Sequence, residues 1–244
     1  MNLYMRNVSI SQTVGQFGLT YHLTDPGLVL CFPRQKNPEI PTGLRSKILA
    51  ALVTRFNTTR TIIGRHFSDG EVEFWGRVRL LGGGDTMRAA AVCQSNAEDR
   101  RDSSYVRVSH SHLPITIPGS SGLNDYKLQY ELYVDKYANQ RRKTPKLELK
   151  TFYGQILQII VVGLPATQDL QLKELETIIL ASIKNCPIKR SNDLDMHYYQ
   201  GEDGYTEIVD ITAVQCLVGR IFDRDWWTVI DRSGKLARAE ASEE

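Results

Sequence analysis

Closely spaced metal-ligand cysteines are missing from this chain of 244 residues. Its four cysteines, Cys31, Cys93, Cys186 and Cys216, stand far apart and form no CxxC pair. Cysteine-based zinc sites draw on ligands a few residues apart, so that architecture is excluded. So sparse a set reads as reduced thiols rather than as a secreted disulfide scaffold. Long hydrophobic runs are also missing. The longest, Ile156–Leu164, is interrupted by Gln158 and falls short of the ~18 residues of a membrane helix; it reads as a buried strand. Met1–Ile10 lacks the basic start and apolar centre of a signal peptide. GxSxG, HExxH, GxGxxG and the GK[ST] of a P-loop are absent, and Gly82-Gly83-Gly84-Asp85-Thr86 reads as a turn. These absences predict a soluble, intracellular chain, nuclear or cytoplasmic, with no cofactor, no membrane span and no evident small-molecule substrate, and no motif specifies a catalytic mechanism.

Hydrophobic residues at 41% and charged residues at 24% are ordinary for a folded protein and exclude wholesale disorder. Thirty Lys and Arg against 28 Asp and Glu leave a net charge of +2, which hides an asymmetry. Residues 34–150 hold 20 basic and 12 acidic side chains, net +8; the remainder is net −6. A basic half favours an anionic partner.

Leu28–Phe32 reads as a short strand, and Pro33–Pro41 as a break. Pro41 and Thr42 are helix-start residues, the first by its preset φ and the second as a cap. Leu44, Ile48, Leu52 and Phe56, widened by Leu49 and Val53, then recur at helical spacing. After Asn57-Thr58-Thr59 a second short helix carries Ile62, Ile63 and Phe67. Between Pro41 and Arg65 there are five basic residues, Arg45, Lys47, Arg55, Arg60 and Arg65, and no acidic one. Two helices with a basic exterior suggest a helix-turn-helix-like element.

From Glu71 the period becomes two. Val72, Phe74, Gly76, Val78 and Leu80 face one way, against Trp75, Arg77 and Arg79 on the exposed face, where aromatic stacking and charge combine. Further strands are expected over Thr86–Cys93, Ser104–Val108, Tyr126–Val134, Leu147–Val162, Thr177–Ile183 (with a short helix as the alternative), Glu207–Ile221 and Trp226–Ile230. Phe74-Trp75-Gly76-Arg77-Val78 is echoed by Phe152-Tyr153-Gly154-Gln155-Ile156; glycine inside a strand marks a bulge or a close backbone approach. The pattern predicts a mainly β (α+β) fold, a barrel or sandwich preceded by a short helical pair. The expected division is an N-terminal extension over 1–40, the basic pair over 41–68, a β domain over 69–238 and an acidic tail over 239–244.

The candidate nucleic-acid contacts are the five helical cations, Arg77 and Arg79, and the connector cations Arg141, Arg142, Lys143 and Lys146, which can neutralise phosphates without reading sequence. Asp193, Asp195 and His197 form a weaker candidate for a divalent metal and phosphodiester chemistry. His110 and His112 share a face if extended, yet sit in the charge-poor Ser109–Leu123 stretch.

Leu44–Thr59, Phe74–Ala89, Glu98–Arg107, Phe152–Ile156, Leu194–Tyr199, Glu207–Ile221 and Trp226–Arg238 resemble the C-terminal region of fungal transposase-like proteins of the CACTA (En/Spm) or Kyakuja–Dileera–Zisupton kind. The resemblance spans Pro41 to Arg238. It implies that the acidic catalytic core of such transposases lies outside the shared region, that this chain neither cuts nor joins DNA, and that it binds DNA or chromatin. The later half also resembles the bromo-adjacent-homology (BAH) barrel, with Phe152–Ile156, Thr177–Ile183, Tyr198-Tyr199 and Ile211–Gly219 in the corresponding places. Against that pattern, Val108–Gln129 is an in-frame insertion, read as a translated intron. The leading expectation is a transposon-derived, non-catalytic module that binds nucleic acid or chromatin; a BAH-like protein-interaction module, a metal-dependent phosphodiester enzyme and a degenerate fragment without selected function are the alternatives.

Overall fold

A computed structural model describes residues 27–81, 84–93, 102–108, 152–192, 196–201 and 204–231, and the backbone of 133–135 and 147–149. Along the chain run β1 (Leu28–Lys36), α1 (Thr42–Arg55), α2 (Arg60–His66), β2 (Val72–Leu80), β3 (Thr86–Arg88), β4 (Tyr105–Val108), β5 (Tyr133–Asp135), β6 (Leu147–Leu149), β7 (Phe152–Leu164), β8 (Glu176–Asn185), β9 (Arg190–Ser191), β10 (His197–Tyr199), β11 (Thr206–Asp210), β12 (Val214–Leu217), β13 (Gly219–Asp223) and β14 (Trp226–Ile230).

The helical pair forms, but Thr42, expected as a cap, is the first residue of α1, and no side chain caps that end. Pro41, at φ −56°, precedes α1, and Asn57 turns the chain with a positive φ of 45° before Thr59 caps α2 by accepting from Ile62 N at 3.4 Å. Ile48, Leu49 and Leu52 of α1 and Ile63 of α2 are buried, joined by Phe67. They lie on Val72 and Phe74 of β2, Ile160, Val162 and Leu164 of β7, Ile178 and Leu180 of β8, and Ile208 of β11. Each such side chain contributes about 1.5–3 kcal/mol of burial. A short helix owes its stability to contacts of this kind rather than to propensity.

β7 organises the main antiparallel sheet. Residues 152–155 pair with β4 and 159–162 with β2, while β8 runs along its other edge from Gly154 to Leu164. β11 adds to β8, β12 to β4, and β1 and β3 to β2. The β7–β8 register shifts between Ile156 and Gln158, and the extra residue reverses the facing of all that follows. Ile156, Ile159 and Val161 therefore share one core, with Leu30, Trp75, Val78, Val106 and Ile183. β8 sends Ile179, Ala181 and Ile183 to that core and Ile178 and Leu180 to the helices. A strand covered on both faces has no period-two signature, which is why Thr177–Ile183 left a helix open.

The fold is mainly β with two helices, as expected, but of the barrel or sandwich expected from the sequence the closed barrel is not formed: the main sheet stays open among the described residues. β11 and β12 are consecutive but lie on different neighbours. The helical turn Ile211–Ala213, capped by Asp210 Oδ1 accepting from Thr212 N at 3.0 Å, swings the chain from β8 to β4. A separate four-stranded sheet, in the order β13-β14-β10-β9, packs against the main sheet through Tyr105, Tyr153, Cys186, Tyr199, Val218 and Val229. β5 and β6 pair with each other. No described helix is long and apolar enough to cross a membrane.

Several boundaries differ from the sequence reading. β1 runs on through Pro33 and Arg34, with its register to β2 shifted between Cys31 and Arg34, so residues 28–36 belong to the sheet and not to an extension. Val108, assigned to the insertion, is a buried β4 residue paired with both Phe152 and Val214. The remainder of that insertion, His110 and His112, residues 1–26 and the acidic tail lie outside the described residues. The echoed glycines are both sites of close approach. A Cβ on Gly76 would meet Pro33 Cδ at 2.2 Å, and one on Gly154 would meet Ile183 Cγ2 at 2.4 Å.

Arg88 is buried on β3 and donates to Asp102 Oδ1 at 2.6 Å. Burial opposes ionisation of Asp102, but hydrogen bonds from Ser104 Oγ and N and the Arg88 guanidinium outweigh it and hold the carboxyl below its ordinary value. A carboxylate with a lowered folded pKa stabilises above its unfolded pKa and loses that contribution as pH falls toward the folded one. Asp102→Asn is therefore less stable than the parent at pH 7, and the gap narrows from about pH 4 downward. Denaturant titrations across that range test this; a gap constant with pH refutes it.

Candidate functional site

The helical cations meet carboxylates contributed by other elements. Arg45 Nε donates to Asp69 Oδ1 at 3.0 Å, with its guanidinium 5.2 Å from the Phe67 ring centroid. Arg55 binds Asp210 and donates to Glu176 Oε1 at 3.3 Å, and His66 Nε2 lies 3.0 Å from Asp169 Oδ2. Both partners of Arg55, Glu176 and Asp210, come from the half that is acidic in sequence. The charge asymmetry is thus partly cancelled where the halves touch. Lys47 Nζ donates to Thr206 O at 2.7 Å and Arg60 to Ser46 Oγ at 3.1 Å, leaving their charge facing outward, while Arg65 is exposed.

On β2, Trp75 is not the exposed stacking surface expected. Its side chain is fully buried: alternation sets it opposite Phe74, and that face of β2 is covered by the main core, with Ile159 of β7 paired beside it. Its Nε1 donates to Glu73 Oε2 at 3.1 Å, and Arg34, itself bonded to Glu73, lies 5.2 Å from the ring centroid. A cavity of about 130 Å³ opens beside this group, lined by Leu30, Arg34, Glu71, Glu73, Trp75 and Val161 among others. Arg34 already occupies the cation position there. Arg77 is half-buried, donating to Phe32 O at 3.5 Å, and Arg79 is exposed. Both guanidiniums lower the Cys31 thiol pKa, but desolvation exceeds them and the thiol stays above its ordinary value.

Arg141, Arg142, Lys143 and Lys146 lie outside the described residues, as do Asp193 and Asp195. Of the candidate metal ligands only His197 is described; its Nδ1 is 2.7 Å from Ser191 Oγ and its ring 5.1 Å from that of Tyr153. No group of three or more metal-binding side chains occurs among the described residues.

The small sheet concentrates what the sequence reading left unassigned. Pairing sets Phe222, Trp227 and Tyr199 in one cross-strand row and Arg220, Val229 and His197 in the next, on the face turned to the core. Ile221, Thr228, Tyr198 and Arg190 form a row on the opposite face. The Arg220 guanidinium lies between two rings, 3.7 Å from the Tyr105 centroid and 3.8 Å from that of Trp227. It also donates to Tyr199 Oη at 3.2 Å and stands 3.9 Å from Asp102 Oδ2. Burial and the neighbouring Cys186 push the Tyr199 phenol far above its ordinary pKa, so it stays protonated. On the outer face Arg190 lies 4.2 Å from the Trp226 centroid and 4.8 Å from that of Tyr198.

β13 is the edge of this sheet, with β14 on one side and no described strand on the other. Arg224 and Asp225, both at positive φ (47° and 65°), make the tight turn that joins them. On that edge Ile221 is 57% exposed and Phe222 55% exposed, one on each face. Phe222 leans on Trp227 with ring centroids 4.9 Å apart. Sequence reasoning missed Arg190, Arg220, Ile221 and Phe222 because isolated residues in short strands carry no periodic signal. The one available hint was the crowding of aromatics in Tyr198-Tyr199, Phe222 and Trp226-Trp227. No family model matches the chain, and neither a curated protein nor a solved structure gives a match.

Proposed function

We propose that the chain is a non-catalytic, protein-interaction module that engages its partner along β13. One observation carries this reading: the sheet edge exposes two large apolar side chains on opposite faces. Unpaired strand edges invite strand addition, and folded proteins ordinarily blunt them with charge, proline or a bulge. β13 has charge at Arg220 and Asp223, yet Ile221 and Phe222 between them are bare. An added strand would gain main-chain hydrogen bonds from the edge and side-chain contacts from both residues.

Nucleic-acid or chromatin binding, the activity that the transposase-like resemblance implies, is the second reading. Lys47, Arg60 and Arg65 favour it, since the first two bond to neutral oxygens and the third is exposed. The two readings separate in one comparison. A photo-crosslinking amino acid in place of Phe222 in the full chain yields polypeptide adducts that survive nuclease and vanish on Ile221→Lys. Absence of adducts, together with duplex DNA binding lost in the triple variant Lys47→Glu, Arg60→Glu, Arg65→Glu, overturns the first reading for the second. Binding of that second kind weakens steeply between about 50 and 200 mM salt.

A further inference from the structure

We infer that the occupant of the β13 edge is a second copy of this chain, its β13 laid antiparallel about a two-fold axis through Ile221. The inference rests on the proposed interaction reading. Two copies joined edge to edge in one continuous antiparallel sheet are related by an axis perpendicular to that sheet. Such an axis keeps each face on its own side, and with a side-chain period of two only registers centred on a residue are open.

The bare stretch Arg220–Asp223 then offers four centres. Centring on Arg220 or on Asp223 sets a charged residue against itself. Centring on Phe222 sets Ile221 opposite Asp223 of the second copy, an apolar side chain against an unpaired carboxylate on each side of the axis. Centring on Ile221 avoids all of these. Ile221 meets Ile221 of the second copy, Phe222 meets Arg220, and Asp223 meets Gly219, which has no side chain. Both large apolar side chains that β13 exposes in one copy are covered, one on each face of the joined sheet. Arg220, held between Tyr105 and Trp227, presents a fixed guanidinium edge to the incoming Phe222. The tight Arg224-Asp225 turn ends the strand just beyond Asp223, so the paired segment is short and its register well defined.

Sedimentation equilibrium of the full chain over a wide concentration range tests the inference. A reversible monomer–dimer equilibrium is expected. Ile221→Lys, which places two ammonium groups face to face across the axis, raises the dimer dissociation constant by about tenfold or more. Ile221 is exposed, so this change leaves the unfolding midpoint in place. Independently, Ile221→Cys treated with a short bis-maleimide gives a covalent dimer that the parent chain, with its own four cysteines, does not give in parallel. A monomer at every concentration, or a dimer indifferent to Ile221→Lys, overturns the inference. If the chain is monomeric while the Phe222 photo-adducts still form with a different polypeptide, the interaction reading survives and only the identity of the occupant falls.

Discussion

Trp75→Ala lowers the unfolding free energy by about 3–5 kcal/mol, the range for truncating a large buried aromatic. The indole is fully buried in the core formed by Leu30, Val78, Ile159 and Val161, so its removal leaves a cavity that a two-sided sheet cannot close by a local shift. The loss extends to a polar group. Trp75 Nε1 is one of the donors on Glu73, whose carboxylate is otherwise held by Arg34 above the same ring. Guanidinium denaturation followed by far-ultraviolet circular dichroism measures the effect, with Arg79→Ala as the comparison. That exposed change on the same strand should stay within about 0.5 kcal/mol of the parent. A stable Trp75→Ala that instead loses ligand binding would restore the indole to the stacking role that period-two alternation assigns it.

Arg220→Ala should cost about 3 kcal/mol, from two desolvated cation–π contacts and one charged hydrogen bond. The guanidinium is the joint between the sheets: Tyr105 belongs to β4, whereas Trp227 and Tyr199 belong to β14 and β10. Its side chain retains 23% exposure, which keeps the figure below that of a wholly buried ion. The loss is local. Amide hydrogen exchange quickens in β10, β13 and β14 and is unchanged in β7 and β8, where β7–β8 pairing and the helix-side core hold independently. Arg220→Lys recovers only part, because an ammonium cannot lie flat between two rings. Uniform exchange throughout the chain would show that the small sheet has no separate anchorage. Since β13 carries Arg220, this substitution also loosens the edge on which partner recognition is proposed.

Parts of this fold were readable from the residues in order. The apolar stripe Ile48, Leu49, Leu52 predicts the buried face of α1, and Thr59 is a capping residue that caps. Trp226–Ile230 is a strand with the bounds its composition suggests. β-branched runs such as Thr177–Ile183 lie in strands, although burial on both faces removes the alternation that would have identified them. The failures have a common physical origin. Trp75 sits at the position alternation assigns to solvent, yet that face of β2 is covered as well, by Ile159, Val161 and the rest of the main core. The basic exterior of the helical pair was legible, but its meaning depended on Glu176 and Asp210, more than a hundred residues away in the chain from Arg55.

The candidate surface shows the same division. Tyr198, Tyr199, Phe222, Trp226 and Trp227 are visibly crowded in sequence, but crowding does not say which rings are buried and which are bare. That follows from strand pairing, which alternates them between the core-facing side and the outer side of the small sheet.

By itself, then, the sequence determined the mainly β character, the helical pair, the absence of recognisable catalytic motifs and a split of charge between the two halves, because these depend on composition and on local periodicity. Only the tertiary structure decided that, among the described residues, the main sheet stays open, opposed charges meet and partly cancel, and Ile221 and Phe222 lie on an edge with no strand paired to it. Those outcomes depend on which distant residues become neighbours, and between strands far apart in the chain no tight turn fixes the pairing.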